Sequence, residues 1–167
     1  MVRVLFVCTG NICRSPMAEG LLRKLLHEQE RPGEFIVESA GTLPMNGAPA
    51  SSNSVDVCLE QGIDIHDHVS REITKEMIDD ADLVLTMEED HRQHVLALCP
   101  DAGEKSFVIT RYAGLPDAMG GVADPLGLAK DEYEATFHEI EASIKAALPK
   151  ILALSEEGSE PTRKRAD

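Results

Sequence analysis

Two hydrophobic rhythms alternate along the chain. Residues 2–7, VRVLFV, form a compact apolar run broken only by Arg3, the pattern of a strand covered on both faces. The run ends at Cys8, and Thr9-Gly10-Asn11-Ile12-Cys13-Arg14 has turn composition. Ser15-Pro16 then reads as an N-cap with proline at the first helical position, opening a helix to about Gln29 with Met17, Leu21, Leu22, Leu25 and Leu26 on one face. Residues 35–39 predict a second strand, and the stretch 41–54, rich in Gly, Pro, Asn and Ser, an irregular loop before a helix over 55–61. Residues 73–80 supply a helical turn or two, 82–87 a third strand, 88–98 a helix and 106–109 a short fourth strand. A Gly/Pro-rich surface loop over 114–127 leads to a last amphipathic helix over 131–154, carrying Tyr133, Phe137, Ile140, Ile144 and Leu148, which Pro149 kinks or splits.

Strands alternating with helices imply right-handed crossovers and an α/β fold, an open four-stranded parallel sheet with helices on both faces. Such sheets bind ligands at the carboxyl ends of their strands, where the first strand delivers Cys8. The length fits one domain, placed at residues 1–155, followed by a polar and disordered tail over 156–167 with Arg163-Lys164-Arg165.

Composition narrows the partners. The formal charge is −14, which repels nucleic acid and anionic membrane surfaces. Residues 1–27 nevertheless carry Arg3, Arg14, Arg23 and Lys24 against Glu19 alone, so the stretch around the first loop is locally cationic. No run approaches the roughly 18 apolar residues of a membrane helix, and the first apolar run is too short for a secretory signal, which points to the cytoplasm. Cys8, Cys13, Cys58 and Cys99 are not spaced as a disulfide framework or a zinc site, so they read as thiols, with Cys58 in the core, Cys99 at a helix end and no metal expected.

An apolar strand ending at Cys8, five loop residues, Arg14 and a helix start together turn backbone N–H groups inward, and with the helix N-terminus they form an anion cradle. Residues Thr9, Gly10, Asn11, Ile12, Cys13, Arg14 and Ser15 would line it. Arg14 adds a bidentate guanidinium clamp on two oxygens of a tetrahedral oxyanion, a geometry lysine lacks. The field that binds phosphate also stabilises a thiolate, so Cys8 is a nucleophile without an adjacent histidine base. Arg14 and the backbone supply the positive field, and no cofactor is needed.

Residues 4–19, VLFVCTGNICRSPMAE, resemble the signature of the low-molecular-weight protein tyrosine phosphatase family. The likeness continues through Ser39-Ala40-Gly41, Gly62-Ile63 with His68, Arg71-Glu72-Ile73-Thr74, the 82–87 strand with Glu88, and Asp124-Pro125. It implies the phosphotyrosine phosphatase I-like fold and a protein tyrosine phosphatase, a phosphoric monoester hydrolase acting on phosphorylated proteins and small aryl phosphates. By the family's scheme Cys8 attacks phosphorus. Asp124, set over the cradle by Pro125, protonates the leaving group and later activates water. The resemblance further implies that Asn11 and Ser39 bond each other to hold the loop open, that Ser15 donates to the Cys8 sulfur and that His68 braces Asn11. A reversible Cys8–Cys13 disulfide would protect the nucleophile. Phosphate and other oxyanions are the expected loop ligands, and the protein is expected to be a monomer with at most weak self-association.

Two markers point to different substrates. Many tyrosine phosphatases of the family follow the acid with two tyrosines, whereas Leu126-Gly127 here resembles the bacterial protein-arginine phosphatase branch. That branch carries Thr where this chain has Ile12, and an apolar side chain within the cradle favours packing on an aromatic ring. Phosphotyrosine is therefore the first reading and phosphoarginine the alternative. A thioredoxin-coupled arsenate reductase would need two further cysteines after the third strand, where only Cys99 follows. A non-catalytic phosphoprotein-binding module would have no use for Cys8, Arg14 and Asp124 together.

Overall fold

The strand-forming runs assemble into one parallel sheet. In a computed structural model that describes residues 1–116 and 120–158, β1 (Val2–Cys8), β2 (Phe35–Gly41), β3 (Leu83–Thr86) and β4 (Ser106–Val108) lie in the order β2-β1-β3-β4. Register runs from Val2 opposite Phe35 to Cys8 opposite Gly41, and from Val4 opposite Leu83 to Val7 opposite Thr86. Pleat alternation then explains the near-continuous apolarity of β1. Val2, Val4, Phe6 and Cys8 face one core with Leu83, Leu85 and the apolar sides of α1 (Arg14–Glu28), α2 (Ser52–Glu60) and α6 (Lys130–Glu157). Leu5, Val7 and Val84 face a second core with Ile78 of α3 (Lys75–Asp80) and Val95 of α4 (Glu89–Leu98).

Chain order reverses at β1, with β2 on one side of it and β3 on the other. Their carboxyl ends therefore splay at a topological switch point, and the loops after β1 and β3 meet there.

Several boundaries differ from the sequence expectation. The first helix begins at Arg14 with Cys13 as N-cap and no side-chain cap bond, because the Ser15 hydroxyl is spent on Cys8 and Asn11 instead. Residues 52–54 belong to α2, which the Ser-rich composition had assigned to the loop. Ile109 opens a four-residue helix, α5 (Ile109–Tyr112), instead of ending β4. Pro149 does not split the last helix. α6 continues to Glu157, past the domain boundary expected at 155, while the remaining tail, 159–167, lies outside the described residues. Among the described residues no helix is long and apolar enough to cross a membrane.

Candidate active site

The turn after β1 curls around its own backbone, and a second segment holds it there. Thr42 and Leu43 donate N–H to the carbonyls of Cys8 and Thr9 at 2.9 and 3.0 Å, and Ser51 donates to the Ile12 carbonyl at 2.8 Å. Gly41 permits this approach, since a Cβ there would stand 2.5 Å from the Thr9 carbonyl oxygen.

Asn11 is the hub of the loop. Its φ of 55° is left-handed, a conformation asparagine tolerates better than most residues, and it is fully buried. Its Nδ2 donates to Ser15 Oγ at 2.8 Å and Ser39 Oγ at 2.9 Å, while Oδ1 accepts from Arg71 N–H at 3.0 Å. His68 Nε2 reaches the Asn11 carbonyl at 2.6 Å, and burial pushes its pKa down. Ser15 Oγ lies 2.9 Å from Cys8 Sγ, a hydroxyl in place to support a thiolate. All the residues expected to support the loop thus converge on it, and Arg71, which also donates Nε to the Ser39 carbonyl at 3.1 Å, joins them.

Arg14 is a buried cation, 1% exposed. Its Nη1 donates to Glu88 Oε1 and, at 2.8 Å, to the Val122 carbonyl, while Nη2 donates to Thr9 Oγ1 at 3.3 Å and lies 3.5 Å from Asp124 Oδ2. The Nε–H has no hydrogen-bond partner among the described residues, an orphaned buried donor on the guanidinium edge.

Asp124 is brought over the loop by a clamp that the sequence did not disclose. Val122 N–H donates to the Met87 carbonyl at 2.8 Å, and Gly121 pairs with Glu88 in an antiparallel bridge. Gly121 has φ 121°, and a Cβ there would fall 2.0 Å from the Met87 carbonyl oxygen, so only glycine fits. Asp124 Oδ1 then accepts from Leu126 N–H at 3.1 Å, closing an Asx turn. Residues 117–119 of the same expected loop lie outside the described residues.

Cys8, Gly10, Ile12, Cys13, Arg14, Asp124 and Leu126 line one narrow pocket. Leu126 is 57% exposed at its mouth, so no aromatic wall follows the acid. Cys8 and Cys13 are both free thiols, and Cys13 Sγ points to Ser51 Oγ at 3.5 Å and Tyr133 Oη at 3.6 Å, with burial raising its pKa. Cys58 is buried and pushed up to about 12, an inert core thiol. Cys99 ends α4 in the second core, bonded to Asp79 at 3.2 Å and remote from the pocket, which denies the arsenate-reductase relay its one downstream candidate. Among the described residues no group of three or more His, Cys, Asp or Glu could hold a metal.

Sequence reasoning assigned no role to Glu88 and His91, which cap α4 and reach the loop from the end of β3. Their spacing, N-cap and N3, was the available signal.

The model of the family described as low molecular weight phosphotyrosine protein phosphatase matches residues 3–159. The protein-arginine-phosphatase of Geobacillus stearothermophilus is 38% identical over 89% of this chain and 95% of its own length. The low molecular weight protein-tyrosine-phosphatase Etp of Escherichia coli K12 is 35% identical over 83% of this chain and 86% of its own. A low molecular weight protein tyrosine phosphatase from T. tengcongensis superimposes with a TM-score of 0.83 at 38% identity, over 90% of this chain and 99% of that one.

Proposed function

The chain belongs to the low molecular weight phosphotyrosine protein phosphatase family, and on that premise we propose that it hydrolyses phosphotyrosine in proteins through a phosphocysteine intermediate. The observation that carries this reading is the buried Arg14, its Nε–H unpartnered among the described residues, in a pocket it shares with Cys8 and Asp124. A buried guanidinium edge of this kind fits a tetrahedral oxyanion, and Cys8, which lines the same pocket, supplies the nucleophile.

Cys8 Sγ forms the bond to phosphorus as the bond to the tyrosyl oxygen breaks, and the carboxylic acid of Asp124 gives its proton to that oxygen. Protonation matters because a phenolate's conjugate acid titrates near 10, making the unprotonated group a poor leaving group. The Asp124 carboxylate then takes a proton from water, the resulting hydroxide attacks phosphorus, and the S–P bond breaks to release inorganic phosphate and the Cys8 thiolate. The backbone of Thr9 to Ser15 holds the phosphoryl oxygens, and Asn11, Ser39 and His68 keep that backbone curled. Cys13, in the same pocket, is the candidate partner for a protective disulfide with Cys8.

Ile12 and Leu126 make the pocket's non-reacting walls apolar, which suits the flat face of a phenyl ring. A second reading, protein-arginine phosphatase, is favoured by the open rim at Leu126-Gly127 and by the 38% identical relative of that name. Comparing kcat/KM for matched phosphotyrosine and phosphoarginine peptides decides between them. We expect phosphotyrosine to lead, with Ile12→Thr narrowing the ratio; a preference for phosphoarginine beyond about tenfold overturns the first reading.

A further inference from the structure

α4 starts immediately after β3, so its first turn faces the phosphate loop. The third helical position there holds His91, where a capping box ordinarily has Glu or Gln. His91 Nδ1 accepts the Glu88 N–H at 3.0 Å, so the neutral ring carries its proton on Nε2, and that N–H faces Thr9 Oγ1 at 2.8 Å. Thr9 Oγ1 also accepts from Arg14 Nη2 at 3.3 Å, and the Glu88 carboxylate receives Arg14 Nη1. The ring is 4% exposed, and burial together with the Arg14 charge pushes its pKa down to about 4, so it remains a neutral donor at working pH. Two of the guanidinium's protein anchors, Glu88 and Thr9, are therefore held by this one imidazole, the first through the main chain and the second through a hydroxyl.

We propose that His91 is a positioning residue for Arg14: by donating Nε2–H to Thr9 it holds the guanidinium square to the Cys8 cradle, in addition to capping α4. The proposal rests on reading Arg14 as the oxyanion clamp. Its chemistry separates from capping because a glutamine at this position keeps both bonds, Oε1 accepting from Glu88 N–H and Nε2 donating to Thr9, whereas a glutamate keeps the capping box and has no donor.

The test measures orthovanadate affinity, kcat and KM for para-nitrophenyl phosphate, and melting temperature for His91→Gln and His91→Glu, each with Thr9 and with Thr9→Val. The second background retains any effect of the charge that glutamate adds and removes the bond in question. We expect His91→Gln within about threefold of the parent, and His91→Glu weaker by roughly tenfold or more in orthovanadate affinity and in kcat, about what one lost hydrogen bond to a charged network produces. With Thr9→Val the two variants should converge to within about threefold. Should His91→Glu fail to fold, His91→Asn, too short to reach Thr9, takes its place in the cycle. Equal behaviour of the two variants beside Thr9, or a difference that persists undiminished with Thr9→Val, overturns the brace. A parent protein that binds no orthovanadate instead overturns the clamp reading on which it stands.

Discussion

Replacing Asn11 by alanine is the most exacting test of how the cradle keeps its shape. The substitution removes three side-chain hydrogen bonds, to Ser15, Ser39 and the Arg71 N–H, from a site where Asn11 and Ser15 are fully buried. At about 1 kcal/mol net for each bond, that amounts to about 3 kcal/mol. The backbone adds to it, since at φ 55° alanine is about 1 kcal/mol worse placed than asparagine. A total near 4 kcal/mol corresponds to a fall of about 8–16 °C in Tm for a domain of this size. Asn11→Gly loses the same bonds but accepts the left-handed conformation, so it should recover about 1 kcal/mol, or roughly 3 °C. Thermal melts followed by circular dichroism measure both, and turnover of an aryl phosphate well below the transition should fall by at least about tenfold in each as the loop loses its fixed curl. Variants that both melt within about 2 °C of the parent would refute the claim that this network shapes the loop. Glycine melting no higher than alanine would refute the backbone part alone.

Other consequences follow from the same geometry. Asp124→Asn should lower kcat/KM by about 10²–10³ for a phosphotyrosine peptide and distinctly less for para-nitrophenyl phosphate, whose leaving group needs little protonation; equal losses of kcat/KM across a leaving-group series would contradict the acid role. Mild peroxide should convert Cys8 to the sulfenic acid, which Cys13 attacks with loss of water to form a disulfide visible by peptide mass spectrometry. Burial holds the Cys13 thiol protonated, so disulfide yield should rise with pH, and direct passage of Cys8 to the sulfinic acid without a disulfide would exclude the protective role. His91, lowered in the fold to about 4 from about 6.5, is neutral when folded but takes up a proton on unfolding. Its contribution is thus complete above about pH 6.5 and lost as pH falls toward 4, by up to about 3 kcal/mol. The melting temperature of the parent relative to His91→Gln should therefore drop between pH 7.5 and 4.5, and a pH-independent difference would show the ring is not held neutral.

The sheet and the nucleophile loop were legible because both are local in sequence. The apolar run of β1, the turn composition after Cys8 and the helix from Arg14 lie within one continuous stretch, and strands alternating with helices imply a parallel sheet, whereas the order β2-β1-β3-β4 came from the structure. The N-cap assignment to Ser15 failed because capping competes with tertiary contacts, and here the hydroxyl turns to Cys8 and Asn11. The extra helix at Ile109 escaped notice for a different reason: four residues are too few to show a helical period. The frame around Arg14 was illegible because its parts are far apart in the chain. Glu88 lies 74 residues from Arg14 and the Val122 carbonyl 108, and nothing local to Gly121 shows that its Cα must lie against the Met87 carbonyl. Composition was misleading in the same way: a net charge of −14 conceals a guanidinium buried at the one point where an anion is expected.

The central claim is that phosphoryl transfer proceeds through Cys8, and the direct measurement is mass spectrometry of acid-quenched Asp124→Asn protein during turnover of para-nitrophenyl phosphate, whose leaving group departs without the acid while hydrolysis of the intermediate is slowed, so that the intermediate accumulates. The account predicts one phosphoryl adduct on the peptide containing Cys8, absent from Cys8→Ser together with all turnover. Turnover that survives in Cys8→Ser, or an adduct carried by any other residue, would contradict it.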